Sequence, residues 1–155
     1  GQISSSLFVK EKSELDSTDI QELEGKVVGR KRGFIMSPDL DKAYSEGRFE
    51  LVEVETTEQL IRMLKLSRID VVCHTTNNIR YYLKTLDVED EIQQLVPPVL
   101  NGRESYLAFS KKALAKLPER FFVDMQIAFE SMRVDGTIET LKKKHNIWAF
   151  PTDLN

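Results

Sequence analysis

Strand and helix signatures alternate through the middle of the chain and give way to a purely helical ending, which predicts an α/β fold on a mainly parallel sheet. Two observations carry this. The short runs Val27-Val28-Gly29, Phe49–Val54 and Ile69–Cys73 are each followed by a helix start, at Ser37-Pro38, Thr56-Thr57-Glu58-Gln59 and Thr75-Thr76. In addition, Ile69-Asp70-Val71-Val72-Cys73 is apolar apart from Asp70, as a central strand covered on both faces requires.

Taken in order, Leu7-Phe8-Val9, flanked by serines and Lys10, reads as a strand, and residues 11–24 are charged and polar. Leu23 and Gly25 lead into the Lys26–Gly29 strand. Ser37 before Pro38 is a helix start with proline in the first turn, and that helix should run to about Gly47. Phe-Glu-Leu-Val-Glu-Val over 49–54 alternates as a strand does. Thr56 and Gln59 have the spacing of a capping box, and Leu60, Ile61, Met63 and Leu64 form the apolar stripe behind it. After the Ile69–Cys73 strand, Thr75 and Thr76 can cap a helix over 77–85 with Ile79, Tyr82 and Leu83 inward. Pro97-Pro98 marks a loop or edge segment, and Tyr106-Leu107-Ala108-Phe109 reads as a further strand.

From Lys111 onward the pattern is helical. A helix from about Pro118 should carry Phe122, Met125, Phe129 and Met132 on one face, ending at Asp135-Gly136. Thr137 can cap a last helix, without a full capping box because Thr140 stands three residues on. Lys142-Lys143-Lys144 suits its negative C-terminal end.

Composition narrows the function classes. The 155 residues are 41% hydrophobic and 30% charged, enough to bury one core, and 7 glycines with 5 prolines exclude a collagen-like or low-complexity chain. A net charge of −3 does not support nucleic-acid binding, and the basic runs Arg30-Lys31-Arg32 and Lys142–Lys144 are short enough to be solvated surface. No apolar run reaches the roughly 18 residues of a membrane-spanning helix, so no direct membrane insertion is expected. Gly1-Gln2-Ile3-Ser4 lacks the basic start and apolar core of a signal peptide, as a trimmed chain also would. The single cysteine, Cys73, excludes an internal disulfide.

In a sheet of this kind, ligands bind at the carboxyl ends of the strands, which selects the segments Arg30–Ser37 and His74–Asn78. The first lacks the spacing of a phosphate loop, but cationic side chains beside a helix start would hold a carboxylate; an exposed turn with a left-handed Gly33 is the alternative. In the second, His74 beside Cys73 is no catalytic pair, since neighbours on a strand face opposite ways. No catalytic residues, metal site or cofactor are expected. The only other histidine, His145, lies far along the chain, and the four methionines and Trp148 read as packing and anchoring.

Several segments, in order, resemble the extracellular solute-binding proteins of polar amino acid ABC transporters, bacterial family 3. They are Leu23–Gly29 with Gly33, Ser67–Val72, Tyr106–Lys111, and Asp135-Gly136-Thr137 followed by Lys143-Lys144-His145. His74–Tyr82 is similar to the glutamine-binding member in particular. The resemblance implies a periplasmic-binding-protein-like type II fold, a clamshell that closes on a solute. It implies a hinge or crossover strand at 1–9, a second α/β lobe at 10–103, and a return strand with C-terminal helices at 104–155. Those last elements would pack on a first lobe that is apparently absent.

By the same resemblance the ligand-side residues are Lys31, Arg32, Gly33, Phe34, Ile35, His74 and Thr75. Thr75 stands where amino-acid binders carry an aspartate for the solute ammonium, and Gly33-Phe34-Ile35 replaces a hydroxyl-bearing segment that meets the α-carboxylate. The implied function is a non-enzymatic, periplasmic or surface solute-binding protein that delivers a small polar or anionic molecule, not a standard α-amino acid, to a membrane permease. The alternative is a sensory module of the same fold, ligand-sensing or ligand-free. An enzyme is disfavoured because no acid–base pair is evident.

Overall fold

The computed structural model describes residues 2–104 and 106–145, omitting side-chain detail at 2, 103 and 104. The chain divides into two compact units, Gly1–Ser105 and Tyr106–Asn155.

The first unit is a six-stranded mixed sheet: β1 (Gln2–Lys10), β2 (Val27–Lys31), β3 (Glu50–Val54), β4 (Val71–Thr75), β5 (Ile92–Gln94) and β6 (Leu100–Glu104). Its spatial order is β3-β2-β4-β1-β5, with β6 also on β1. The predicted parallel part is β3-β2-β4, each pair in register without interruption. The long β1 runs antiparallel to β4, β5 and β6, so β4 and β5 point the same way.

Helices α1 (Pro38–Ser45), α2 (Thr57–Lys65) and α3 (Thr76–Thr85) cover the sheet. Alternate residues of β1 and β4 enter two separate cores, because side chains on a strand alternate between faces. Leu7, Val9, Val71 and Cys73 join Leu40 and Ala43 of α1 and Leu23 of a 3-10 turn. Phe8 and Val72 join Leu60, Ile61 and Leu64 of α2 and Ile79 and Leu83 of α3. The unbroken apolar run of β4 is thus explained by burial on both sides. The two parallel crossovers are the α1 and α2 segments, and α2 begins with both halves of the Thr56–Gln59 capping box in place.

The second unit contains α4 (Lys111–Leu114), α5 (Phe121–Val134) and α6 (Thr137–Lys144). The strand predicted at Tyr106–Phe109 is absent: residues 106–110 have no regular structure and join no ladder. A strand exists only as part of a ladder, and apolar composition alone does not create one. Helix α5 begins three residues later than predicted and buries no residue fully; Met125 and Met132 are half-buried, while Phe122 and Phe129 are 45% and 47% exposed. Phe109, Phe121 and Phe122 stack edge to face with centroids 5.4–5.7 Å apart.

Two predicted caps are also corrected. The N-cap of α6 is Gly136, and Asp135 accepts the Thr137 N–H at 2.8 Å, so the cap comes from the aspartate rather than from Thr137. Thr75 precedes α3 but its side chain makes no cap bond, and the Thr76 hydroxyl bonds to β1 instead of capping. The Lys142–Lys144 run does occupy the last turn of α6. Trp148 lies outside the described residues. Among the described residues no helix is long and apolar enough to cross a membrane.

Candidate functional site

The carboxyl ends of β2 and β4 bring the two predicted segments together. Gly29 pairs with Val72, and two residues further along each strand stand Lys31 and His74, on the same face as that pair. Both segments begin inside strands, not in the loops predicted for them: Arg30 and Lys31 belong to β2, His74 and Thr75 to β4. Gly29 leaves room for its neighbours, since a Cβ there would lie 2.5 Å from Ile69 Cδ1 and 2.9 Å from Leu60 Cδ2 and those side-chain ends would have to shift.

Beyond β2 the chain turns sharply. Phe34 N–H donates to the Lys31 carbonyl at 3.0 Å, and Gly33 holds φ at 76°, a conformation that L side chains rarely adopt. This turn leaves the backbone N–H groups of Gly33 and Ile35 without an acceptor among the described residues. It also directs the Phe34 ring onto the imidazole of His74, with centroids 5.0 Å apart. Ile35 is 59% exposed.

The three cations of the turn have different fates. Arg30 is paired with Glu53 at 2.9 Å and Asp41 at 3.7 Å. Arg32 pairs with Glu55, and its N–H continues the ladder by donating to Val54 O at 2.8 Å. Lys31 alone has no carboxylate partner among the described residues, and it is exposed. Of the three, Lys31 is the charge available to a guest.

His74 is buried and held by its own neighbours. Its Nδ1 accepts the Thr75 backbone N–H at 2.7 Å, and its Nε2 lies 3.3 Å from Thr57 Oγ1. Thr57 donates its single hydroxyl proton to Asn78 Oδ1 at 3.1 Å, so His74 Nε2 carries the proton and donates to Thr57. Burial first, and the nearby Lys31 ammonium second, push the imidazole down to about 4, so it is neutral near pH 7. Both ring nitrogens and the Thr75 N–H are therefore occupied internally, which makes His74 a brace for the rim. Cys73 faces the opposite core, where burial raises its thiol to about 12. Among the described residues no three side chains of metal-binding type come together.

A second polar cluster escaped the sequence reading. Ser4, Ser5 and Ser6 of β1 are buried, and Thr76 Oγ1 lies 3.1 Å from Ser4 Oγ and 2.8 Å from Ser6 Oγ. Gln94 Nε2 donates to Ser6 Oγ at 3.0 Å, and Arg80 donates to Gln94 Oε1 at 2.6 Å. This network ties the start of α3 to β1 and β5. Its only local sign in the sequence is a serine triplet inside a strand.

The architecture is that of one periplasmic-binding-protein-like lobe followed by helices. No family model and no curated protein matches the sequence. Among solved structures, an ancestral arginine-binding protein bound to glutamine matches with a TM-score of 0.66 at 19% identity, over 93% of this chain and 60% of that one. A P235GK mutant of the arginine-binding protein of T. maritima gives 0.66 at 13% identity, over 96% of this chain and 59% of that one. A Streptococcus pneumoniae protein described as the second substrate binding domain of an amino acid ABC transporter gives 0.52 at 20% identity, covering 66% and 45%. The family resemblance read from the sequence is thus matched by structural neighbours that include amino-acid-binding proteins, and the chain spans about two fifths to three fifths of their length.

Proposed function

We propose that this chain is the second lobe, with C-terminal helices, of a non-enzymatic extracytoplasmic solute-binding protein that serves an ABC-type permease. The observation that carries the reading is the end of β2, where the unpaired Lys31 ammonium adjoins the open N–H groups of Gly33 and Ile35. Donors so arranged suit a carboxylate or similar oxyanion. Phe34, packed on His74, supplies an apolar wall, and Thr75 offers a neutral oxygen at the rim. With Arg32 tied to Glu55, it stands at the margin of this constellation.

The solute is a small anionic or polar molecule, not a standard α-amino acid. Of the nearby carboxylates, Asp41, Glu53 and Glu55 are engaged by Arg30 and Arg32, and Thr75 carries no charge to meet an α-ammonium. Residues 1–9 form the crossover strand, residues 10–103 the lobe, and 104–155 the return segment and helices. The exposed apolar residues of α5, among them Ile127 and Val134, are the surface on which a first lobe would sit.

A thermal-shift series on the protein carrying these residues tests this, with amino acids, amines, and small carboxylates as probes. A solute that binds only the folded form adds about 2.7 kcal/mol at a hundredfold excess over its Kd. Shifts with carboxylates lacking an α-ammonium, lost in Lys31→Ala, are the expected result. A shift with glutamine or arginine that survives Lys31→Ala would overturn the assignment of both solute class and site.

A further inference from the structure

Arg80 carries a charge with no counter-ion among the described residues. It is half-buried in the second turn of α3, and none of the ion pairs among the described residues includes it. Arginine is rarely withdrawn from water unless paired, since an uncompensated charge keeps its desolvation cost. Burial accordingly lowers its pKa, with no opposing carboxylate to raise it.

The guanidinium is nevertheless fixed in place. One nitrogen donates to Gln94 Oε1 at 2.6 Å, and the Gln94 amide is itself anchored by Ser6 at 3.0 Å. Ser6 in turn meets Thr76 at 2.8 Å, inside the buried network of β1. A neutral amide clamp holds the planar fork without neutralising it, leaving its remaining N–H donors available. The position is distinct from the Lys31 turn. Gln94 ends β5, and two strands, β4 and β1, lie between β5 and β2, which places the backbones about 14 Å apart.

We propose that Arg80, oriented by Gln94, is a second anion-binding position that takes the carboxylate of a small organic acid, by the planar two-bond pairing that a guanidinium offers. The lone charge, the clamp and the partial exposure together define it. It does not depend on the solute-binding reading above, and it would stand if the Lys31 turn bound nothing.

The test is an NMR titration of the Arg80 side-chain N–H with acetate, against chloride at equal ionic strength, in the wild type, Lys31→Ala, Arg80→Gln and Gln94→Glu. Acetate should shift the Arg80 resonance saturably in the wild type and in Lys31→Ala, and chloride should not. Gln94→Glu supplies the missing carboxylate within the chain, so it should abolish the acetate response and raise Tm by about 2–4 °C. Arg80→Gln should abolish the signal and leave acetate without effect on Gln94. A wild-type resonance indifferent to acetate, or equal shifts with chloride, would overturn the proposal. So would a Gln94→Glu protein that still responds to acetate, or one that melts lower than wild type while folded.

Discussion

The hydroxyl of Thr57 lies 3.3 Å from Nε2 of His74 while donating its own proton to Asn78, so three elements fix one imidazole tautomer. Thr57 opens α2, His74 lies near the end of β4, and Asn78 is in the first turn of α3. The bond at Nδ1 to the Thr75 N–H completes the arrangement. With both nitrogens engaged and one face against Phe34, the ring is fixed in position. It sets the height of the rim between β4 and the two helices that flank it.

This neutral state makes stability depend on pH. The folded pKa is about 4 against 6.5 for the free group, so between these values the unfolded chain binds the extra proton. Stability from this residue is complete above pH 6.5 and falls as pH drops toward 4, by on the order of 3 kcal/mol. Protonation would also turn Nδ1 from acceptor to donor, against the Thr75 N–H. Urea midpoints measured from pH 7 to 4.5 should fall more steeply for the wild type than for His74→Asn. Parallel curves for the two proteins would mean that the imidazole is charged in the folded state.

Gly29 sets the closeness of β2 to the helix-covered face. A methyl group there meets Ile69 Cδ1 and Leu60 Cδ2, the ends of two fully packed side chains. Gly29→Ala should cost about 1–3 kcal/mol through overpacking. Ile69→Val removes the nearer of the two atoms, so the double variant should lose less than the sum of the single losses. Simple additivity in chemical denaturation would show that the neighbours yield without strain.

Local rules foresaw those parts of the fold whose causes are local. The capping box at Thr56–Gln59 forms because both partners lie within one turn, and β4 is recognisable because each of its faces is covered. Tyr106–Phe109 failed for the opposite reason, since strand composition cannot create a pairing partner. The buried serines were illegible because Thr76 and Gln94, which satisfy Ser6, lie 70 and 88 positions away. At the site, spacing brought Lys31 and His74 to the same strand ends. It could not reveal that Glu55 engages Arg32 or that Thr57 engages His74.

Asn77 Oδ1 is buried with no hydrogen-bond partner among the described residues. A buried acceptor left unmade keeps its desolvation penalty, and asparagine is also a weaker helix former than alanine. Asn77→Ala should therefore stabilise the protein by roughly 1 kcal/mol, seen as a higher urea midpoint at unchanged m-value. A lower midpoint would show that the amide makes a contact that contributes more than the orphaned oxygen costs.

Thr76 is the node of the β1 network, and its removal should be felt beyond its own bond. Its hydroxyl donates to the Ser4 carbonyl at 3.3 Å and accepts from Ser4 and Ser6, both nearly sealed from water. Thr76→Val preserves shape but strands those serine hydroxyls, and each unsatisfied group costs about 1–3 kcal/mol. Thr76→Ser keeps the oxygen and should lose far less. Replacing Ser4, Ser6 and Thr76 together by Ala, Ala and Val removes every stranded hydroxyl except the demand of Gln94 Nε2, so the triple variant should recover part of the loss. Calorimetry on the set decides the matter. If Thr76→Val and Thr76→Ser melt alike, the hydroxyl is not the element that fastens α3 to β1.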